Sequence, residues 1–215
     1  MTDPPRPPDR PEPGTPLVIY GAGGHGTVVA DAATLAGYRV VGFLDDREQN
    51  ALAPAALLLS QNDPQLAGAN FIPAIGDNQA RAAVLHRIEQ LGGTVVNVVH
   101  PAAAVSPSAK LGHGVYVAPQ AVVNAHAVVG DGCIINSAAV VEHHCTLGDF
   151  AHLAPGAVLG GAVTIGNHTL IGLGARVLPQ RAVGDRCVVG AGAVVTRDFE
   201  RDLLLVGVPA VARRV

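Results

Sequence analysis

Residues 117–147 read VAPQAVVNAHAVVGDGCIINSAAVVEHHCTL. An aliphatic residue returns at every sixth position: Val117, Val123, Val129, Ile135, Val141 and Leu147. Followed outward, the same register runs unbroken from Val99 to Val195 and stops only at Arg201. Four places after most of these aliphatics stands a small residue, as at Ala121, Ala127, Cys133, Ala139 and Cys145. Glycine is common directly after it, as at Gly112, Gly130, Gly148 and Gly166. A period of six fits neither a 3.6-residue helix nor a two-residue alternation. It is the spacing of a parallel β-helix, in which each short strand turns one aliphatic and one small residue inward and each corner is tight.

The composition agrees. Charged residues make up 14% and aromatic residues 3% of the 215, and there is no tryptophan. Such a chain builds narrow stacked layers rather than one bulky core. A net charge of −3 offers no electrostatic footprint for nucleic acid or an anionic membrane. The opening MTDPPRPPDRPEPGTP (1–16) holds seven prolines and no apolar run. It predicts a disordered leader rather than a signal peptide. With no stretch long enough to span a bilayer, a cytoplasmic location is expected.

Ahead of the repeat, LVIYGAGGHG (17–26) runs an apolar strand into glycines and then into the helical pattern TVVADAATLAG. Strands are expected over 39–44, 71–75 and 94–99, with a helix over 79–91. This is a small parallel α/β unit occupying 17–98, followed by the β-helix over 99–200 and a C-terminal tail over 201–215. Gly21, Gly23 and Gly26 satisfy the G-x-G-x-x-G spacing, and Asp45 and Asp46 follow about twenty residues later. The fingerprint suggests a dehydrogenase. The unit, however, is half the size of a full dinucleotide-binding fold, and no hydride-transfer domain follows it. The glycine loop also suits any diphosphate at a helix N-terminus, and a tight turn with no ligand would use the same glycines.

The two parts, in this order, resemble the bacterial nucleotide-amino-sugar N-acetyltransferases and their sialic acid O-acetyltransferase relatives. The resemblance covers about 17–213 and is carried by IYGAGGHG (19–26), FLDD (43–46), AIGDN (74–78), HPAAAVSPSA (100–109), NSAAVVEHHC (136–145) and VGVPA (206–210). It implies a left-handed β-helix with eighteen residues per coil, acetyl-CoA as co-substrate, a nucleotide-linked 4-amino-4,6-dideoxy sugar as acceptor, and a homotrimer with sites between subunits. GDP-perosamine is the first expectation. A UDP-linked 4-amino sugar, or O-acetylation of a sialic acid or another sugar hydroxyl, is the alternative.

The resemblance places the base at His143, with Glu142 to orient it and His152 reaching the same site. Imidazole titrates near neutral pH and can take the proton released by an attacking amine. The family often has a carboxylate directly after the base; here that place is His144. By the coil spacing, Gly161 lies one coil beyond His143, leaving room for a thioester and an N–H for the oxyanion. Gly172, Leu173, Gly190 and Ala191 suggest a groove for the pantetheine arm. Gly23, Gly24, His25, Asp45, Asp46, Gly76 and Asn136 are expected on the nucleotide sugar. His100, His126 and His168 read as structural or exposed turn residues. Cys133 and Cys187 share a column three coils apart, too far for a disulfide, and all three cysteines are expected as reduced packing residues.

The residues admit two other readings. One is zinc held by His143, His144 and Cys145, although neighbours in that run alternate faces. The other is a non-enzymatic trimerisation scaffold with an α/β sensor. No metal is expected.

Overall fold

The computed structural model describes residues 11–46, 58–60 and 63–213. Most of the expected leader, residues 1–10, lies outside them. The α/β unit opens with β1 (Thr15–Tyr20), α1 (Gly24–Leu35) and β2 (Tyr38–Leu44). It continues with β3 (Asn70–Pro73), α2 (Asn78–Gln90) and β4 (Thr94–Val95). The sheet is parallel, in the order β2-β1-β3-β4. Continuous apolar strands such as Leu17–Tyr20 suit a sheet buried on both faces.

The segment 94–99, expected as one strand, divides. Thr94–Val95 joins the α/β sheet, whereas Val98–Val99 pairs with Tyr116–Val117 in the β-helix. Asn97 makes the junction: its Oδ1 accepts from Val115 N and its Nδ2 donates to Gly112 O, both at 2.8 Å.

From Val98 the chain forms a left-handed β-helix of about six turns with three parallel sheets as faces. The first face runs from Val98–Val99 through Tyr116–Val117, Ile134–Ile135 and His152–Leu153 to Val188–Val189. The second carries Val140–Val141 and the third Thr146–Leu147, each pairing with strands eighteen residues away. Every aliphatic of the six-residue register from Val117 to Val195 is buried. Past 200, where a tail was expected, Leu204–Val206 extends the first face and Val211–Arg213 closes it antiparallel.

Two features of the repeat have causes that composition alone conceals. First, the left-handed backbone of each corner falls on the third residue after the aliphatic. Every sixth residue from Gly114 to Gly192 has positive φ, including Gln120, His126, His144 and Phe150. For a non-glycine residue this conformation costs about 1–2 kcal/mol. The glycines directly after the aliphatics do other work: a Cβ on Gly148 would lie 2.7 Å from Asn167 N, in the next coil. The space admits a ladder in which Asp149 N donates to Asn167 Oδ1 at 2.8 Å and Asp131 N to Asp149 Oδ1 at 2.9 Å.

Second, the polar members of the small inward slot are donors. Cys133 Sγ donates to Gly148 O, Cys145 Sγ to Gly160 O and Thr169 Oγ1 to Gly184 O. All three cysteines are free and buried, as expected. Burial pushes the Cys133 thiol up to about 12, so it stays a protonated donor.

The α/β unit packs on the first face, where Tyr116, Ala118 and Ile134 join a core with Leu17, Ile19, Val29 and Ile72. Helix α2 lies along the corner between the third and first faces, with Asn78 Nδ2 donating to His168 O at 2.9 Å.

Candidate active site

His143 sits on the corner between the second and third faces, two residues past the inward Val141 and one before the left-handed His144 (φ 59°). Both rings are exposed. Their Nδ1 atoms are 3.1 Å apart, one donating and one accepting. The His126 ring, one coil below, lies 5.1 Å from that of His144. Glu142 is not the partner of His143: its Oε2 accepts from Asn124 Nδ2 at 2.9 Å, tying two coils together. His144 therefore occupies the orienting place expected for a carboxylate.

Gly161 lies directly against His143. A Cβ there would stand 2.6 Å from Cε1 and 2.7 Å from Nε2 of the imidazole. The space where a side chain would stand is thus filled by the ring, and the glycine is what lets the ring lie down. The Gly161 N–H has no acceptor among the described residues, because its column neighbours at this corner offer no side chain like those of the aspartate ladder.

The glycine loop follows β1. Gly21 has a φ of 123°, and a Cβ on Gly26 would run into Gly21 O, so both glycines are required by the close passage of loop and helix. Helix α1 has no side-chain cap and no acidic residue in its first turn. With Asp45, Ala74, Ile75 and Gly76, the residues Gly21, Gly23, Gly24 and His25 line a cleft of about 210 Å³. A neighbouring cleft of about 460 Å³ shares Asp45 and Ile75 and adds Tyr20, Asp46 and Arg87. Asp45 Oδ2 accepts from Ala22 N at 2.7 Å, which holds the loop in shape. Asp46 meets the Tyr20 hydroxyl at 3.1 Å and Arg87 at 3.3 Å.

His152 points outward from the first face into this junction. Its Nδ1 is 3.3 Å from Gly76 O and its Nε2 is 3.2 Å from Asn136 Nδ2. A carbonyl only accepts, so Nδ1 carries the proton and Nε2 receives the amide N–H. Burial, then the charge of Arg81 and the nearness of His25, lower its pKa to about 4. His25, lowered to about 4 by burial and by Arg81, leaves Nε2 without a partner among the described residues. Its ring meets Tyr116 edge-on at 5.5 Å.

The chain matches the PglD N-terminal domain over residues 16–88 and the bacterial transferase hexapeptide (six repeats) over 126–161. Among solved structures it resembles perosamine N-acetyltransferase from Caulobacter crescentus, determined as a histidine-to-asparagine mutant with CoA and GDP-perosamine. The identity is 38% over 92% of this chain and 96% of that one, with a TM-score of 0.85. The acetyltransferase domain of PglB from Neisseria gonorrhoeae, solved with acetyl coenzyme A, matches at 37% identity over 93% of this chain and all of that one (100%), with a TM-score of 0.84. WeeI from Acinetobacter baumannii shares the fold at 23% identity, covering 92% of this chain and 99% of that one, with a TM-score of 0.77.

The chain belongs to the bacterial nucleotide-amino-sugar N-acetyltransferases. It is an enzyme that uses acetyl-CoA to acetylate a sugar.

In this N-acetyltransferase the expected site residues fall into two sets. His143, Glu142 and Gly161 stand at the corner between the second and third faces. His152, His25, Gly23, Gly24, Gly76, Asp45 and Asp46 stand on or above the first face, with Asn136 beside His152 where that face turns toward the second. That corner is the one opposite the first face of a triangular coil, so one chain does not bring the sets together. Gly172, Leu173, Gly190 and Ala191 line the corner between the first and second faces. A Cβ on Gly172 would stand 2.5 Å from Val189 O, so that glycine serves coil packing rather than a groove. Leu173 and Ala191 are exposed beside it.

No sequence motif singles out Arg81. It is fully buried in α2, on the face that also carries Val84 and Ile88. A charged residue in register with the apolar face of a helix was the available signal.

Proposed function

We propose that the enzyme transfers acetyl from acetyl-CoA to the 4-amino group of a nucleotide-linked 4-amino-4,6-dideoxy sugar, GDP-perosamine first, at a site shared by two subunits of a homotrimer. The observation that carries this reading is the division of the site. The glycine-loop cleft and His143 sit on opposite sides of one coil, so a single chain is half a site, and a neighbouring coil completes it. Solved relatives with CoA and GDP-perosamine support the substrate pair.

The chemistry follows from the His143–His144 pair. When His143 donates Nδ1–H to His144 Nδ1, its Nε2 keeps a free lone pair. The sugar amine attacks the thioester carbonyl carbon and a C–N bond forms. Nε2 accepts a proton from the resulting ammonium, while the Gly161 N–H stabilises the oxyanion. The C–S bond then breaks, and the thiolate takes the proton from His143 to leave as CoA thiol. The imidazolium is stabilised throughout by its bond to His144. Asp45 and the uncapped start of α1 serve the nucleotide, with the diphosphate at the helix N-terminus.

The test is thiol release from acetyl-CoA with GDP-perosamine and a UDP-linked 4-amino-4,6-dideoxy sugar offered in parallel. Turnover with a strong preference for the GDP sugar is expected. Turnover with the UDP sugar alone moves the nucleotide assignment. Silence with both removes the amine acceptor and favours a sugar hydroxyl.

A further inference from the structure

Arg81 is a buried cation with no carboxylate in salt-bridge range among the described residues. Its charge is met almost entirely by backbone carbonyls. Nε donates to Gly132 O at 2.6 Å, and Nη2 donates to Phe150 O and to Asn78 Oδ1, both at 2.8 Å. Nη1 donates to Ile75 O at 2.9 Å and Gly76 O at 3.2 Å. The planar fork thus uses its full set of donors. Gly132 and Phe150 are left-handed corner residues of successive coils, while Ile75 and Gly76 line the glycine-loop cleft. One side chain therefore ties the cleft floor to the β-helix. Gly76 O is also the acceptor for His152.

A guanidinium solvated only by dipoles keeps its charge uncancelled, and in a poorly solvated junction that charge reaches further than it would in water. The ionisable groups facing it are Asp77 at the start of α2, the Cys133 thiol, His25 and His152. Asp77 is engaged in capping Ala80 N at 2.8 Å. We propose that Arg81 is a positioning residue for the anionic half of the substrate: it fixes the Ile75–Gly76 carbonyls that shape the cleft and supplies the positive field that a diphosphate meets there. This rests on the reading of the cleft as the nucleotide-sugar site. Burial first, and then the same field, keep His25 and His152 neutral, so that they act as fixed hydrogen-bonding groups at working pH.

The experiment titrates GDP and UDP, separately, into the full-length protein and into Arg81→Lys and Arg81→Met. The unmodified protein is expected to bind one of them, and Arg81→Lys to bind it about tenfold more weakly. The KM for acetyl-CoA is expected to stay within twofold. Because replacing a buried arginine can unfold the chain, histidine ring-proton NMR of the unmodified protein is the second measurement. His25 and His152 are expected to stay neutral to below pH 5 and, in Arg81→Met, to titrate at higher pH. Failure of the unmodified protein to bind either nucleotide overturns the cleft reading itself. Binding that Arg81→Lys leaves within twofold overturns the role of Arg81 alone. Titration of both histidines near 6.5 in the unmodified protein overturns the reach of its charge.

Discussion

His143 and His144 face each other through their Nδ1 atoms at 3.1 Å, and His144, the partner of the proposed base, is itself a corner residue in the left-handed conformation. Orientation and backbone strain are thus combined at one position. Replacing His144 by glycine removes the strain and the orienting nitrogen together. The expected outcome is a Tm that holds or rises while kcat falls about tenfold. His144→Asn, which tolerates the conformation and offers an acceptor oxygen, recovers part of that loss. Equal kcat in all three proteins, measured across pH, contradicts the orienting role.

Gly161→Ala separates packing from chemistry. Its new Cβ meets the far end of a flexible side chain, the His143 ring, so the ring moves and the fold stays. A drop of at least tenfold in kcat with little change in Tm is expected. Gly148→Ala is the contrast: its Cβ meets Asn167 N at 2.7 Å in the next coil, and a destabilisation of about 1–3 kcal/mol follows. Denaturant melts of the two variants check the difference.

Acid stability follows from His152 and His25. Each has a folded pKa lowered from 6.5 to about 4 by burial and by Arg81. Between these values the unfolded chain binds protons that the folded chain refuses. Stability is therefore full above about pH 6.5 and falls as pH drops toward 4. Tm is expected to decline through this window, and His152→Gln to flatten the decline. A Tm that does not change between pH 7 and 5 contradicts the assignment.

Much of this was readable from the residues. The six-step register located the inward aliphatics one by one, because side-chain volume alone decides that slot. The glycine loop and the FLDD strand end are legible as motifs, and the resemblance singles out His143. What stayed hidden depends on neighbouring coils. Gly148 reads as a corner glycine until Asn167 is stacked above it, and Glu142 reads as the partner of His143 until Asn124 is found eighteen residues back. Arg81 looks like a surface charge until its α2 face meets the carbonyls of Gly132 and Phe150. The separation of His143 from His152 has the same origin: a nine-residue interval carries the chain round the coil from one corner to the face opposite.

The central claim, a site completed between two chains, is tested most directly by complementation. His143→Ala breaks one half; Gly23→Glu, at a position where a Cβ meets no atom within 4 Å, blocks the other with a carboxylate. Each protein alone is expected to be inactive in the thiol-release assay. Unfolded together in equal amounts and refolded, they form mixed trimers in which about a quarter of the interfaces pair two intact halves. Recovery approaching a quarter of the unmodified activity is the predicted result, and a mixture as silent as its components contradicts it.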